Sequence, residues 1–187
     1  MRARAGYNNL MQEIEIKAVL KDREEIMRKL ESLGCTLSDP IRQDDVIYVE
    51  HTGPLETFLS NRAFLRIRVN NGNETIFTAK QKRGALVAIE HEVVVDSKGE
   101  LEQMLGMMGY QKALEIHKTR LVTEYQGCEI CIDEVEGLGT FIEMEKLSKD
   151  GDAETIQEEL FKFFETLGIS RADRVTKGYD ILLLEKA

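Results

Sequence analysis

Eight segments of this chain alternate apolar and polar residues with the period of two that marks a half-buried strand, and their order repeats. The order is strand, helix and three strands, followed by the same again. The strands are read at Glu13–Leu20, Asp45–Val49, Phe64–Val69, Glu74–Lys80, Leu86–Asp96, Thr119–Tyr125, Glu129–Asp133 and Thr140–Leu147. Helices are expected at Asp22–Leu33, Ser97–Met108 and Asp152–Leu167. Each starts on a capping residue, carries apolar residues at helical spacing and is followed by glycine. Asn71-Gly72 is a strong hairpin signal, and Gln126-Gly127 another tight connection. Strands that outnumber helices in this way predict an α+β, mainly β fold. The expected form is an eight-stranded antiparallel β-barrel flanked by helices, built from two pseudo-duplicated strand-helix-three-strand halves. Closure removes the exposed edges that an open sheet would leave.

The polar faces of these strands narrow the chemistry. In Glu13-Ile14-Glu15-Ile16-Lys17 both carboxylates and the ammonium share one face, because a strand's side chains alternate. The same spacing pairs Arg66 with Arg68, Thr78 with Lys80, Glu90 with Glu92, Lys118 with Arg120, and Glu143 with Glu145. Asp133 shares a face with Cys131 and Glu129. A single such face is most simply a solvated one. Like charges two residues apart on nearly every strand call instead for counter-ions among them. The expectation is therefore an apolar outside under the helices and a charged lumen. Converging Arg and Lys match a polyphosphate, and carboxylates beside them match Mg²⁺ or Mn²⁺. Phosphoryl and nucleotidyl transfer need that combination.

Other features exclude more than they assign. The net charge of −9 argues against a general nucleic-acid binder, though not against a small anionic substrate. Three cysteines form no disulfide framework, so a reducing cytoplasm is expected, and Cys128 and Cys131 read as buried thiols. No apolar run approaches the roughly 20 residues needed to cross a bilayer. His51, His91 and His117 are isolated, and no Walker A, HExxH or nucleophile-elbow pattern occurs. Residues 1–10 are expected to be a disordered extension and residues 11–187 a single domain.

From about Met11 onward the sequence resembles the CYTH superfamily, the triphosphate tunnel metalloenzymes. The residues that carry this are Glu13-x-Glu15-x-Lys17, the LRIR of Leu65–Arg68, the TAK of Thr78–Lys80, the EHE of Glu90–Glu92, the HKTR of His117–Arg120, IDEVEGLGTFIEME over Ile132–Glu145, and Lys177-Gly178-Tyr179. The ordered set is far more specific than its first member. It is most similar to the CyaB-like class IV adenylate cyclase branch. Ile16 and Ala18 depart from the start of the tripolyphosphatase branch, and the chain lacks the tryptophan of animal thiamine triphosphatases. The resemblance implies a tunnel, a triphosphate substrate such as ATP or tripolyphosphate, Mg²⁺ or Mn²⁺, no membrane or nucleic-acid partner, and a homodimer. It implies metal-side carboxylates at Glu13, Glu15, Glu143 and Glu145. Lys17, Arg66, Arg68, Lys80, Lys118 and Arg120 would grip the triphosphate. Glu13, Glu15, Lys17, Asp133 and Glu143 would form the catalytic set, with Asp133 near the reacting end.

Overall fold

The computed structural model describes residues 11–50, 63–149 and 152–186. The expectations for residues 1–10 and for His51 fall outside these. The strands are β1 (Gln12–Val19), β2 (Ile41–Glu50), β3 (Ala63–Asn70), β4 (Glu74–Gly84), β5 (Val87–Val95), β6 (Tyr110–Tyr125), β7 (Cys128–Val135), β8 (Gly139–Ser148) and the two-residue β9 (Arg174–Val175). The helices are α1 (Arg23–Ser32), α2 (Lys98–Met107), α3 (Ala153–Thr166) and α4 (Tyr179–Lys186).

Every strand pairing is antiparallel, in the order β5-β4-β3-β2-β6-β7-β8-β1-β9, and a β1–β5 pairing closes the first eight into a barrel. The internal repeat is visible in this order. β2-β3-β4 and β6-β7-β8 are two meanders, and each half's first strand, β1 or β5, pairs with the end of a meander. Exchanging the halves preserves every neighbour relation among β1 to β8. Closure is uneven, however. β2 and β6 are matched from Ile41↔Arg120 to Glu50↔Tyr110, whereas β1 and β5 meet only at Glu13↔Ala88 and Ile14↔Val87. The buried Gln157 of α3 bridges that seam, donating to the Glu15 carbonyl at 2.9 Å and the Ala85 carbonyl at 2.8 Å.

The three expected helices form where their caps place them. Asp22, Ser97 and Asp152 accept from the backbone N–H groups of Glu25, Glu100 and Thr155, satisfying donors that a helix start leaves free. α1 and α3 cover the outer face around β1, β7 and β8. There Ile26, Leu30, Phe161 and Phe164 pack on Ile16, Ile130, Ile132 and Ile142. α2 covers the opposite side, with Leu105 against Val46, Tyr48 and Ile67. Gln126-Gly127 has positive φ at both residues, as a two-residue hairpin requires; Asn71-Gly72 has it too, within a three-residue loop that Asn73 completes between Asn70 and Glu74.

Three features lie beyond the sequence expectation. β2 begins at Ile41 and β6 at Tyr110, earlier than the alternation suggested, because the strands extend through polar residues, half-buried or buried in β2 and partly exposed in β6. The apolar run Ile181–Leu184 belongs to a fourth helix, α4. It packs with Ile47, Phe64 and Ile116, which also line the cavity, so α4 stops one end of the barrel.

Candidate active site

The lumen is a cavity of about 1160 Å³. Its wall carries Glu13, Glu15, Lys17, Arg66, Arg68, Lys80, Glu90, Glu92, Lys118, Arg120, Glu143 and Glu145. Strand register explains why they converge. Glu15 lies directly opposite Glu145, and Glu145 opposite Glu129. Lys17 lies opposite Glu143, Arg66 opposite Thr78, and Lys80 opposite Glu90. In-register neighbours share a face, so one alternating pattern per strand becomes rows of charge across the barrel.

One stretch of wall is a cation grip. Lys118 Nζ lies 2.9 Å from Asp133 Oδ2, and Arg120 is bidentate to Asp133, Nε to Oδ1 at 2.7 Å and Nη2 to Oδ2 at 2.6 Å. Arg120 Nη2 also reaches Glu143 Oε2 at 2.5 Å, and Lys17 Nζ reaches Glu143 Oε1 at 2.9 Å. Across the lumen Arg66 bonds Glu90 and Glu92 at 3.2 and 3.0 Å, Arg68 is bidentate to Asp45, and Lys80 pairs with Glu90. Burial opposes charge on Glu143, but Lys17 and Arg120 outweigh it and hold the carboxyl well below its usual range. Burial, reinforced by Arg120, lowers the Lys118 ammonium to about 8.

The adjoining stretch, further along the same strands β1 and β8, has carboxylates in excess. Burial, then repulsion from Glu15 and Glu129, lifts Glu145 to about 7. Burial and Glu90 raise Glu13, and burial and Glu143 raise Glu15. Glu15 Oε1 is buried without a hydrogen bond and is offset by its ion pair with Lys17 Nζ at 3.4 Å, an ammonium it shares with Glu143. Glu145 makes no ion pair among the described residues. No three His, Cys, Asp or Glu side chains among the described residues form a preassembled metal cage. The donor set nevertheless fits a hard divalent cation. These are oxygen donors that repel one another and face an open cavity, and Mg²⁺ typically takes one or two carboxylates and completes its shell with water and substrate phosphates. Glu13, Glu15 and Glu145 fit that task best, because Glu143 is already engaged by Lys17 and Arg120.

Asp133 stands apart from the other residues expected at the site. It is fully buried and lies outside the cavity lining, behind Lys118 and Arg120, whose side chains it holds. Sequence reasoning also left some cavity residues unassigned. Asp45 and Glu129 are polar residues on lumen-facing strand positions, a signal that the alternation contained. Lys82, Tyr179 and Asp180 come from the β4–β5 hairpin and the start of α4; Lys82 Nζ meets Asp180 Oδ2 at 2.9 Å. The other histidines are remote from this chemistry: His91 is exposed, and His117 pairs with Asp44 at 2.6 Å outside the cavity lining. Cys35, Cys128 and Cys131 are buried free thiols. No helix among the described residues is long and apolar enough to cross a membrane.

Comparison with known proteins agrees with this geometry. A family model for the CYTH domain matches residues 11–179. A Methanocaldococcus jannaschii protein named as a candidate adenylate cyclase is 29% identical over 172 residues, spanning 90% of this chain and 97% of that protein. Among solved structures, a Pyrococcus horikoshii protein is similar with a TM-score of 0.79 and 29% identity, covering 94% of this chain and 99% of its own. A Vibrio parahaemolyticus protein, also named as a candidate adenylate cyclase, has a TM-score of 0.78 at 20% identity over 91% of this chain and 97% of its own. At that identity the likeness speaks for the fold alone.

Proposed function

The chain belongs to the CYTH domain family, and from that membership and its cavity we propose a divalent-metal-dependent enzyme acting on a triphosphate, first as an adenylate cyclase. One observation carries the reading: a single cavity sets a cation grip beside a row of under-neutralised carboxylates. Arg66, Arg68, Lys80, Lys118 and Arg120, with Lys17 beside them, bind phosphate oxygens and offset charge on the leaving pyrophosphate. Glu13, Glu15 and Glu145 would hold Mg²⁺ or Mn²⁺, which when bound supplies Lewis-acid neutralisation of phosphate charge. Asp133 keeps Lys118 and Arg120 in place from behind. Apolar Ile47, Phe64, Ile116, Ile181 and Leu184 line the rest of the cavity and suit a nucleoside. The ribose 3′-hydroxyl then attacks the α-phosphorus in line, losing its proton as the new P–O bond forms and the bond to pyrophosphate breaks.

The same charged lining serves a second reading: attack by water on a terminal phosphorus, in place of the ribose hydroxyl on the α-phosphorus, would make the protein a triphosphatase. Incubation with ATP, tripolyphosphate and thiamine triphosphate, each with Mg²⁺ or Mn²⁺, separates these. Cyclic AMP with pyrophosphate is the expected result. Orthophosphate without cyclic product overturns the cyclase in favour of hydrolysis. Tight binding without turnover of any of the three overturns both.

A further inference from the structure

Tyr179 opens α4, and its side chain enters the site between groups that the proposed reaction depends on. Lys17 Nζ lies over its ring, 3.9 Å from the centroid, and Lys118 Nζ lies 5.2 Å from it. Phe141 meets the ring edge-on at 5.2 Å and fixes its plane. The hydroxyl donates to Asp133 Oδ2 at 3.1 Å, joining Lys118 and Arg120 on that carboxylate. The residue is buried. Burial, then Glu143 and Asp133, holds the phenol well above its usual pKa, so the hydroxyl stays a donor.

We propose that Tyr179 is a positioning residue for triphosphate binding, its ring setting the Lys17 ammonium and its hydroxyl fixing Asp133 beneath Lys118 and Arg120. The inference rests on the triphosphate reading of the cavity. An aromatic face attracts a cation without neutralising it. Tyr179 thus helps to hold Lys17 in position without adding to the negative charge that Glu143, 2.9 Å away, and Glu15, 3.4 Å away, already set against it. A third carboxylate in the place of the ring would hold it as well but offset more of the charge an anion is to meet. The chain around Tyr179 is shaped for the task. The Lys177 carbonyl accepts from Lys17 Nζ at 3.5 Å. A Cβ on Gly178 would lie 2.2 Å from Asp180 Oδ1, so glycine is needed there for Asp180 to reach Lys82. The start of α4 is thereby tied to the barrel on both sides of Tyr179.

The test compares Tyr179→Phe, which keeps the ring, with Tyr179→Leu, which removes ring and hydroxyl, in the full chain. Binding of tripolyphosphate is measured by calorimetry beside KM and kcat. The expected loss of affinity is about 5-fold for Tyr179→Phe and about 50-fold for Tyr179→Leu, carried mainly by KM. Combined with Lys17→Met, Tyr179→Leu should weaken binding by less than the product of the two separate losses, because both remove one arrangement. Folded Tyr179→Leu protein with wild-type affinity, or losses that multiply, overturns the positioning role while leaving the triphosphate reading intact. Should Tyr179→Leu not fold, Tyr179→Phe and its cycle with Asp133→Asn decide in the same way. Wild-type protein that binds no triphosphate overturns both.

Discussion

Lys118 carries its charge at a disadvantage. It is buried beside Arg120, and its ammonium titrates near 8. Its proton is therefore lost just above neutrality, and the grip on an anionic substrate should weaken there. KM for the triphosphate is expected to rise as pH passes about 8, in a pH series at saturating metal. Lys118→Met should raise KM about tenfold at pH 7 and flatten that alkaline rise, since a charge-assisted hydrogen bond to phosphate is lost. At this scale the sequence was legible for side and not for depth. Period-two alternation put Lys118, Arg120, Glu143 and Asp133 on one face. It could not say that Asp133 lies behind the other three, because depth depends on which neighbours cover it. Register supplied that: Asp133 sits opposite Arg120 and is capped by Tyr179, a residue 46 positions away.

Among the elements, α3 does two jobs. It closes the outer core with Phe161 and Phe164, and it sends Gln157 to the backbone of β1 and of the β4–β5 turn at the weakest join in the barrel. Gln157→Leu would remove both bonds, one to half-buried Glu15 and one to exposed Ala85, at about 0.5–1.5 kcal/mol for each. Urea unfolding should register the loss as a lower midpoint, while the α3 helix itself persists by circular dichroism. The three capped helices were readable because a cap is a local signal, with donor and acceptor within one turn. α4 was not readable. Ile181–Leu184 is a short apolar run that suits a strand as well as a helix. Its conformation follows from packing against Ile47, Phe64 and Ile116, contacts made across the barrel rather than along the chain.

For the whole molecule, the surplus of carboxylates ties stability to pH and to metal. Glu145 titrates near 7 in the folded chain, against 4.5 for the free group, and Glu13 and Glu15 are raised in the same direction. Between 4.5 and 7 the folded state keeps a proton that the unfolded chain has released, so stability falls as pH rises through that window. The carboxyls held low by cations, Glu143, Asp133 and Asp45, have already given their contribution by about pH 5. Metal-free protein should therefore melt at a higher temperature at pH 5 than at pH 7.5. Mg²⁺ should close the gap at pH 7.5 and do little at pH 5. Scanning calorimetry with and without a chelator would show it, and a gap indifferent to metal would count against the carboxylate site.

The two strands of residue pairs that join the halves of the barrel differ in length, and time will tell them apart. The Glu15 N–H bond to the Leu86 carbonyl fixes which β5 residues turn their backbone toward β1: Ala88, and beyond it Glu90, Glu92 and Val94. β1 has no described partner for those last three, and Val94 is 68% exposed. The amides of Val46 and Ile116 on the long β2–β6 ladder should wait for the barrel to unfold before they exchange with deuterium, while those of Glu15 and Ala88 at the short β1–β5 join should exchange sooner. The molecule is closed in shape but has one lip that water can lift.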